Sequence, residues 1–265
     1  MGMDIKNVTL VTAIYDIGRD KWPNYTMSYN TYLWWMRNLL FLDANLVIYT
    51  EKKFEEQILN HRKQVDPNLK KTKLIIQELN EIDGYKLYYE PLKNLMESEE
   101  FKNKIHFQVP EMTEPLYNVI MFSKMLYILD SYQKNYFDSD LYIWMDAGGI
   151  RNDNPVKNIK WPNLNKINKL DNTKTTLFSH HNVIRFENHE QHALSQMRFI
   201  QGTAFFVPKN NVEQLCNDFK EVVFDVISKC YIGSDEKIFD ITYLKNPNLY
   251  HLIKSDWREY FEMFL

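Results

Sequence analysis

Leu141-Tyr142-Ile143-Trp144-Met145-Asp146-Ala147-Gly148-Gly149 is the stretch on which the fold turns. Five successive apolar residues are the length of a strand, and an unbroken apolar run is what a strand buried on both faces requires. The run stops at a carboxylate followed by two glycines, so Asp146 falls at the rim of a sheet, where the chain turns. Upstream the same logic recurs. Asn7–Tyr15 (NVTLVTAIY) is β-rich and exits through Asp-Ile-Gly, Asn45–Thr50 (NLVIYT) is a second strand, and Lys73–Gln77 (KLIIQ) a third. Between them, Tyr25–Leu42 carries Tyr25, Tyr29, Tyr32, Met36 and Leu39 at helical spacing, and Lys52–Gln64 reads as a charged helix. Strand and helix in alternation predict an α/β fold, a mostly parallel sheet with helices on both faces.

Glu114–Gln133 is predicted as a long helix, with Leu116, Ile120, Met121, Met125, Ile128 and Leu129 on one face. The charged stretch from Asn80 to Pro110, interrupted by Gly84 and Pro91, predicts short helices over one edge. Arg151–Lys174 reads as a polar surface connection. Thr176–Ser179 and Phe199–Val207 are later strands, and Lys209–Cys230 and Asp235–Leu244 later helices. No internal repeat or linker divides the 265 residues, which suit one large domain. Lys and Arg number 32 against 35 Asp and Glu, a net charge of −3, which argues against binding nucleic acid through its phosphates. No apolar run reaches the ~20 residues that a membrane helix needs. Cys216 and Cys230 on one helix would stand ~21 Å apart, too far for a disulfide. A cytosolic protein is expected.

In such sheets ligands gather beyond the carboxyl ends of the strands. Asp146 there has the chemistry to hold Mn2+ or Mg2+ against a diphosphate, since both ions prefer carboxylate oxygen; it equally suits a turn or a helix cap. Asp235 and Glu236, after Gly233-Ser234, are two carboxylates suited to acid–base work and equally to an ordinary helix start. Four histidines crowd Ser179–His192, but His189-Glu190-Gln191-His192 spaces two of them one residue short of the zinc-protease pattern. Glu187 and Glu190 leave a zinc-hydrolase alternative without a motif. No G-x-G-x-x-G follows the first strand and there is no P-loop, which disfavours a Rossmann-type dehydrogenase. The wealth of aromatic residues also suits a non-catalytic carbohydrate-binding module.

Trp144-Met145-Asp146-Ala147-Gly148, preceded by a helix with Asn118 and Ser123-Lys124, resembles the metal-motif region of GT-A glycosyltransferases, and more closely that of the HtrL/WlaTC-type family. The opening Thr12–Arg19 with Trp22, the strand Gln201–Val207 and the segment Gly233–Phe239 resemble further blocks of such proteins, in the same order. The resemblance implies a GT-A-like, Rossmann-like fold in which residues 1–150 bind the nucleotide and 151–265 the acceptor. It implies transfer of a sugar from a nucleotide donor, a UDP-sugar foremost, to a glycan or other hydroxyl acceptor. Thr12, Ala13, Tyr15, Arg19, Lys124, Asp146, Ala147 and Gly148 would bind the donor. His180, His181, Gln201 and Gly202 would face the acceptor, and Asp235 or Glu236 would be catalytic. Tyr15 equally suits the sheet core, and Arg19 and Lys124 a solvated surface. One departure is plain: where GT-A proteins have Asp-x-Asp, this chain has Gly148. Either Asp153 or a distant residue such as His251 would complete a metal site on Asp146, or the metal would bind chiefly through the nucleotide diphosphate.

Overall fold

Side chains alternate strictly across the first strand, β1 (Val8–Ile14): Val8, Leu10 and Ile14 enter one core, Val11 and Ala13 the other. The same division holds in β2 (Asn45–Thr50) and in β4 (Leu141–Met145), where Tyr142 and Trp144 face one side and Leu141, Ile143 and Met145 the other. Strands buried on both faces need cover on both, and the helices supply it. The computed structural model describes residues 4–155, 157–184, 186, 188–256 and 259–265. With β3 (Thr72–Ile76), β5 (Thr175–Ser179), β6 (Ile200–Pro208) and β7 (Tyr250–Lys254), the strands form one sheet in the order β3-β2-β1-β4-β6-β5-β7. All pairings are parallel except those of β6, which runs against both β4 and β5. The predicted fold class, mostly parallel with helices on both faces, is the observed one.

The Tyr29–Leu40 and Glu55–Arg62 helices cover one face. The Asp83–Glu97, Pro115–Lys134, Val212–Ser228 and Asp235–Lys245 helices cover the other. Four details differ from the sequence reading. The first helix begins at Tyr29 rather than Tyr25, because the Ser28 hydroxyl caps it by accepting from Asn30 N at 3.1 Å. Gly84 and Pro91 do not break their segment: both lie inside the 15-residue Asp83–Glu97 helix. Burial of Tyr88, Leu92 and Leu95 outweighs the proline penalty, and Gly84 lets the helix approach Ser123, whose Oγ would lie 1.7 Å from a Cβ. The polar 151–174 connection is anchored by Trp161, 1% exposed, whose Nε1 donates to Phe261 O at 2.9 Å. Finally, Cys230 lies beyond the end of its helix at Ser228; both cysteines are free.

β7 went unread because its Tyr-His-Leu-Ile-Lys is short and neither alternates nor forms an apolar run. Among the described residues no helix is long and apolar enough to cross a membrane.

Candidate active site

The carboxyl ends of β1 and β4, the start of β6 and the amino end of the Asp235–Lys245 helix converge on a cleft of about 360 Å³. Its floor is an ion cluster. Lys124, on the Pro115–Lys134 helix, is 1% exposed, and its ammonium reaches Asp235 Oδ2 at 2.7 Å, Asp146 Oδ1 at 2.9 Å and Gly202 O at 2.9 Å. Three N–H groups meet three oxygens, as a buried ammonium requires. Burial alone would depress its pKa, but attraction to Asp146 and Asp235 outweighs that and the net shift is upward. Trp144, which faces the same side of β4, adds an Nε1 donor to Asp146 Oδ1 at 2.7 Å. The Asp146 carboxyl, 32% exposed, opens into the cleft; burial pushes its pKa up, Lys124 pulls it down and Asp235 pushes it up again.

Gly202 makes the cluster possible. A Cβ there would stand 2.1 Å from Asp235 Oδ2, so any side chain would drive the carboxylate off Lys124. Gly202→Ala should therefore cost ~1–3 kcal/mol by overpacking, read as a lower Tm in thermal denaturation. An unchanged Tm would mean that Asp235 has room to move.

Glu236 follows Asp235 into the cleft and carries a different electrostatic load. Burial and the neighbouring Asp235 charge push its pKa to about 7, against the pull of Arg198. Arg198 spans Glu236 Oε2 at 3.1 Å and Glu111 Oε1 at 2.7 Å. The loop after β1 presents Arg19, whose guanidinium carbon lies 5.7, 5.7 and 5.9 Å from the ring centres of Trp22, Tyr32 and Tyr117.

Of the residues singled out in the sequence, Ala13, Tyr15, Arg19, Lys124, Asp146, Ala147, Gly148, Gly202, Asp235 and Glu236 line this cleft. The others do not. Thr12 is wholly buried within β1 on the far face from Tyr15. Gln201 is buried and donates to Ser255 O at 2.6 Å, tying β6 to the segment after β7. His180 and His181 follow β5 outside the cleft, with His180 Nδ1 3.7 Å from Asp256. Lys124 is no exposed helix cation but the most enclosed charge of the site. Sequence reasoning missed Tyr32, Tyr117, Arg151 and Arg198, which also line the cleft; each comes from a loop or helix whose position only the tertiary fold sets.

The Asp146–His251 metal pair is corrected by the sheet register. His251 pairs with Thr176, Thr176 with Phe206 and Phe206 with Ile143, three strands across from the strand that Asp146 follows. At ~4.8 Å per strand that is about 14 Å, against ligand distances of ~2–2.6 Å. Asp153 borders a separate hollow with Asn152 and Pro155. Among the described residues no three His, Cys, Asp or Glu side chains are grouped to hold a metal. Of the residues of the zinc reading, His192 Nε2 bonds Asp240 Oδ2 at 2.8 Å and its ring stacks on Phe186, while Glu187 lies outside the described residues.

A mostly parallel sheet with one reversed strand, and a cleft beyond β1 and β4 floored by Asp146, define a GT-A-type fold. Mouse xyloside xylosyltransferase 1, in its apo form, shares it with a TM-score of 0.50 and 12% identity, over 94% of this chain and 85% of that one. The galactosyltransferase LgtC, solved with donor and acceptor sugar analogs, gives a TM-score of 0.45 at 10% identity, over 88% of this chain and 69% of that one. Residues 6–265 match the family described as "Bacterial protein of unknown function (HtrL_YibB)", and the chain belongs to that family. Protein HtrL of Escherichia coli (strain K12) is 20% identical over 271 residues, covering 97% of this chain and 91% of the relative. The resemblance to HtrL-type proteins that the sequence blocks carried is borne out.

Proposed function

We propose that this protein is a glycosyltransferase that moves a sugar from a nucleotide-sugar donor, a UDP-sugar in the first instance, to a hydroxyl of a glycan or similar acceptor. The observation that carries the reading is the Lys124–Asp146–Asp235 cluster on the floor of the cleft, with Glu236 beside it. The Asp146 carboxyl, held by Lys124 and partly open to the cleft, is suited to accept from sugar hydroxyls. Tyr32 and Tyr117 offer ring faces and Arg19 a cation toward the nucleotide. In this reading residues 1–150 carry most of the donor site, and the later half, through Arg198, Gly202 and the Asp235–Lys245 helix, closes the acceptor side.

The geometry divides the two candidate carboxylates. Asp235 is committed to Lys124 and buried, so it positions the ammonium. Glu236 faces the cleft and has a pKa near neutrality, as a general base toward an acceptor hydroxyl should. The proton of the acceptor passes to Glu236 as its oxygen bonds the anomeric carbon and the diphosphate leaves.

Thermal denaturation against a panel of nucleotide sugars tests the reading. One donor should raise Tm selectively, because a ligand that binds only the folded state stabilises by ~2.7 kcal/mol at a hundredfold excess over Kd. A panel without any shift would remove the donor site. A shift without any slow hydrolysis of the donor would favour a non-catalytic sugar-nucleotide-binding protein.

A further inference from the structure

We propose that Arg19 and Arg151 together neutralise the departing diphosphate, and that the donor is bound without a divalent cation. The inference rests on the glycosyltransferase reading above and concerns what stands where a metal would. The residues present do not fit a divalent ion at Asp146. Its Oδ1 already accepts from Lys124 at 2.9 Å and Trp144 at 2.7 Å, so a cation on either oxygen of this carboxylate would sit close to an ammonium. The position of a second carboxylate is Gly148, and a Cβ at that point would meet Trp35 Cε3 at 3.2 Å and Tyr32 Cδ1 at 3.6 Å. Aromatic rings fill the space from which a ligand would have to reach.

Those same rings carry two guanidiniums. Arg151, from the loop after β4, donates from Nε to Gly148 O at 3.1 Å and lies 4.1 Å from the Trp35 ring centre. Arg19, from the loop after β1, donates from Nη1 to the Tyr32 hydroxyl. Tyr32 and Trp35 meet edge to face with centres 5.9 Å apart, so one aromatic pair supports both cations. Burial raises the Tyr32 pKa; the charges of Arg19 and Arg151 oppose that rise, and Asp146 adds to it. Both arginines line the cleft.

Two guanidiniums bring the charge of one divalent ion. Their planar forks match phosphate oxygens. When the bond from the anomeric carbon to the diphosphate oxygen breaks, its electron pair goes to that oxygen. The new negative charge then faces two fixed cations rather than a metal.

Calorimetric titration of the EDTA-treated protein with UDP, and separately with inorganic pyrophosphate, tests this. The Kd for each should be the same within about twofold in EDTA and in excess Mn2+. Arg19→Gln and Arg151→Gln should each weaken both probes roughly 10- to 100-fold in EDTA, the range of a charge-assisted hydrogen bond. Arg151→Lys, which keeps the charge and loses the fork, should recover part of the loss, showing that it does not come from misfolding. UDP binding that appears only with Mn2+, or Kd values unchanged in both glutamine variants, would overturn the proposal while leaving the transferase reading intact. Absence of binding to UDP and to every nucleotide sugar, with and without Mn2+, would instead remove that reading and this inference together.

Discussion

Lys124→Met should cost about 3–5 kcal/mol of stability, the largest loss expected from any single change in the cleft. The ammonium is 1% exposed and is the only side-chain cation hydrogen-bonded to Asp235 among the described residues. Removing it leaves Asp146 and Asp235 facing one another across the space that it filled, and deprives Gly202 O of its donor. Either carboxyl can then escape only by taking up a proton, so the variant should recover stability as the pH is lowered. A double-mutant cycle separates charge from packing. Lys124→Met combined with Asp235→Asn should lose less than the two single changes together, because the second removes the repulsion that the first exposes. Urea denaturation at pH 7 reads both effects. Additive losses would show that the cluster is not a coupled unit.

Glu236→Gln should lower turnover by ~10²–10⁴, about 3–5 kcal/mol of barrier, while leaving donor affinity nearly unchanged. Glutamine keeps the shape beside Arg198 and removes the base. In the parent protein the rate should rise with pH through about 7, the pKa to which burial and Asp235 push the carboxyl. Stability should move the opposite way. The folded pKa of about 7 stands above the ordinary 4.5, so the folded state holds a proton that the unfolded chain releases. The parent therefore loses stability as pH rises from about 4.5 to about 7, by an amount on the order of 3 kcal/mol. The glutamine variant has no such loss and should be the more stable protein above pH 7. Equal turnover in parent and variant would remove Glu236 as the base and leave Asp146 and Asp235 as the carboxylates of the cleft floor.

Much of this architecture was legible because burial on both faces leaves a strong signature. Leu141–Met145 and, after its leading Asn45, the strand Asn45–Thr50 are apolar or β-branched runs, and their ends in the structure are the ends that the sequence marks. Asp146 was legible for the same reason, as a charge set directly after such a run. What escaped depends on tertiary contact. Helix continuity through Pro91 rests on burial of residues on either side, and β7 exists because β5 offers it an edge. Two of the partners of Lys124, Gly202 and Asp235, lie 78 and 111 positions away, so neither the ion cluster nor the burial of its ammonium has a local signal. The metal pair failed on the same count: Asp146 and His251 are compatible in chemistry, and only the register of three intervening pairings separates them. Arg151 and Arg198 sit in polar loops whose composition is that of any solvated surface.

The most direct test of the central claim is release of nucleoside diphosphate from each member of a nucleotide-sugar panel, measured without acceptor for the parent and for Glu236→Gln. Slow hydrolysis of one donor by the parent, rising with pH through about 7 and lost in the variant, is the result that this structure predicts. No release from any donor, or the same release from both proteins, would contradict it.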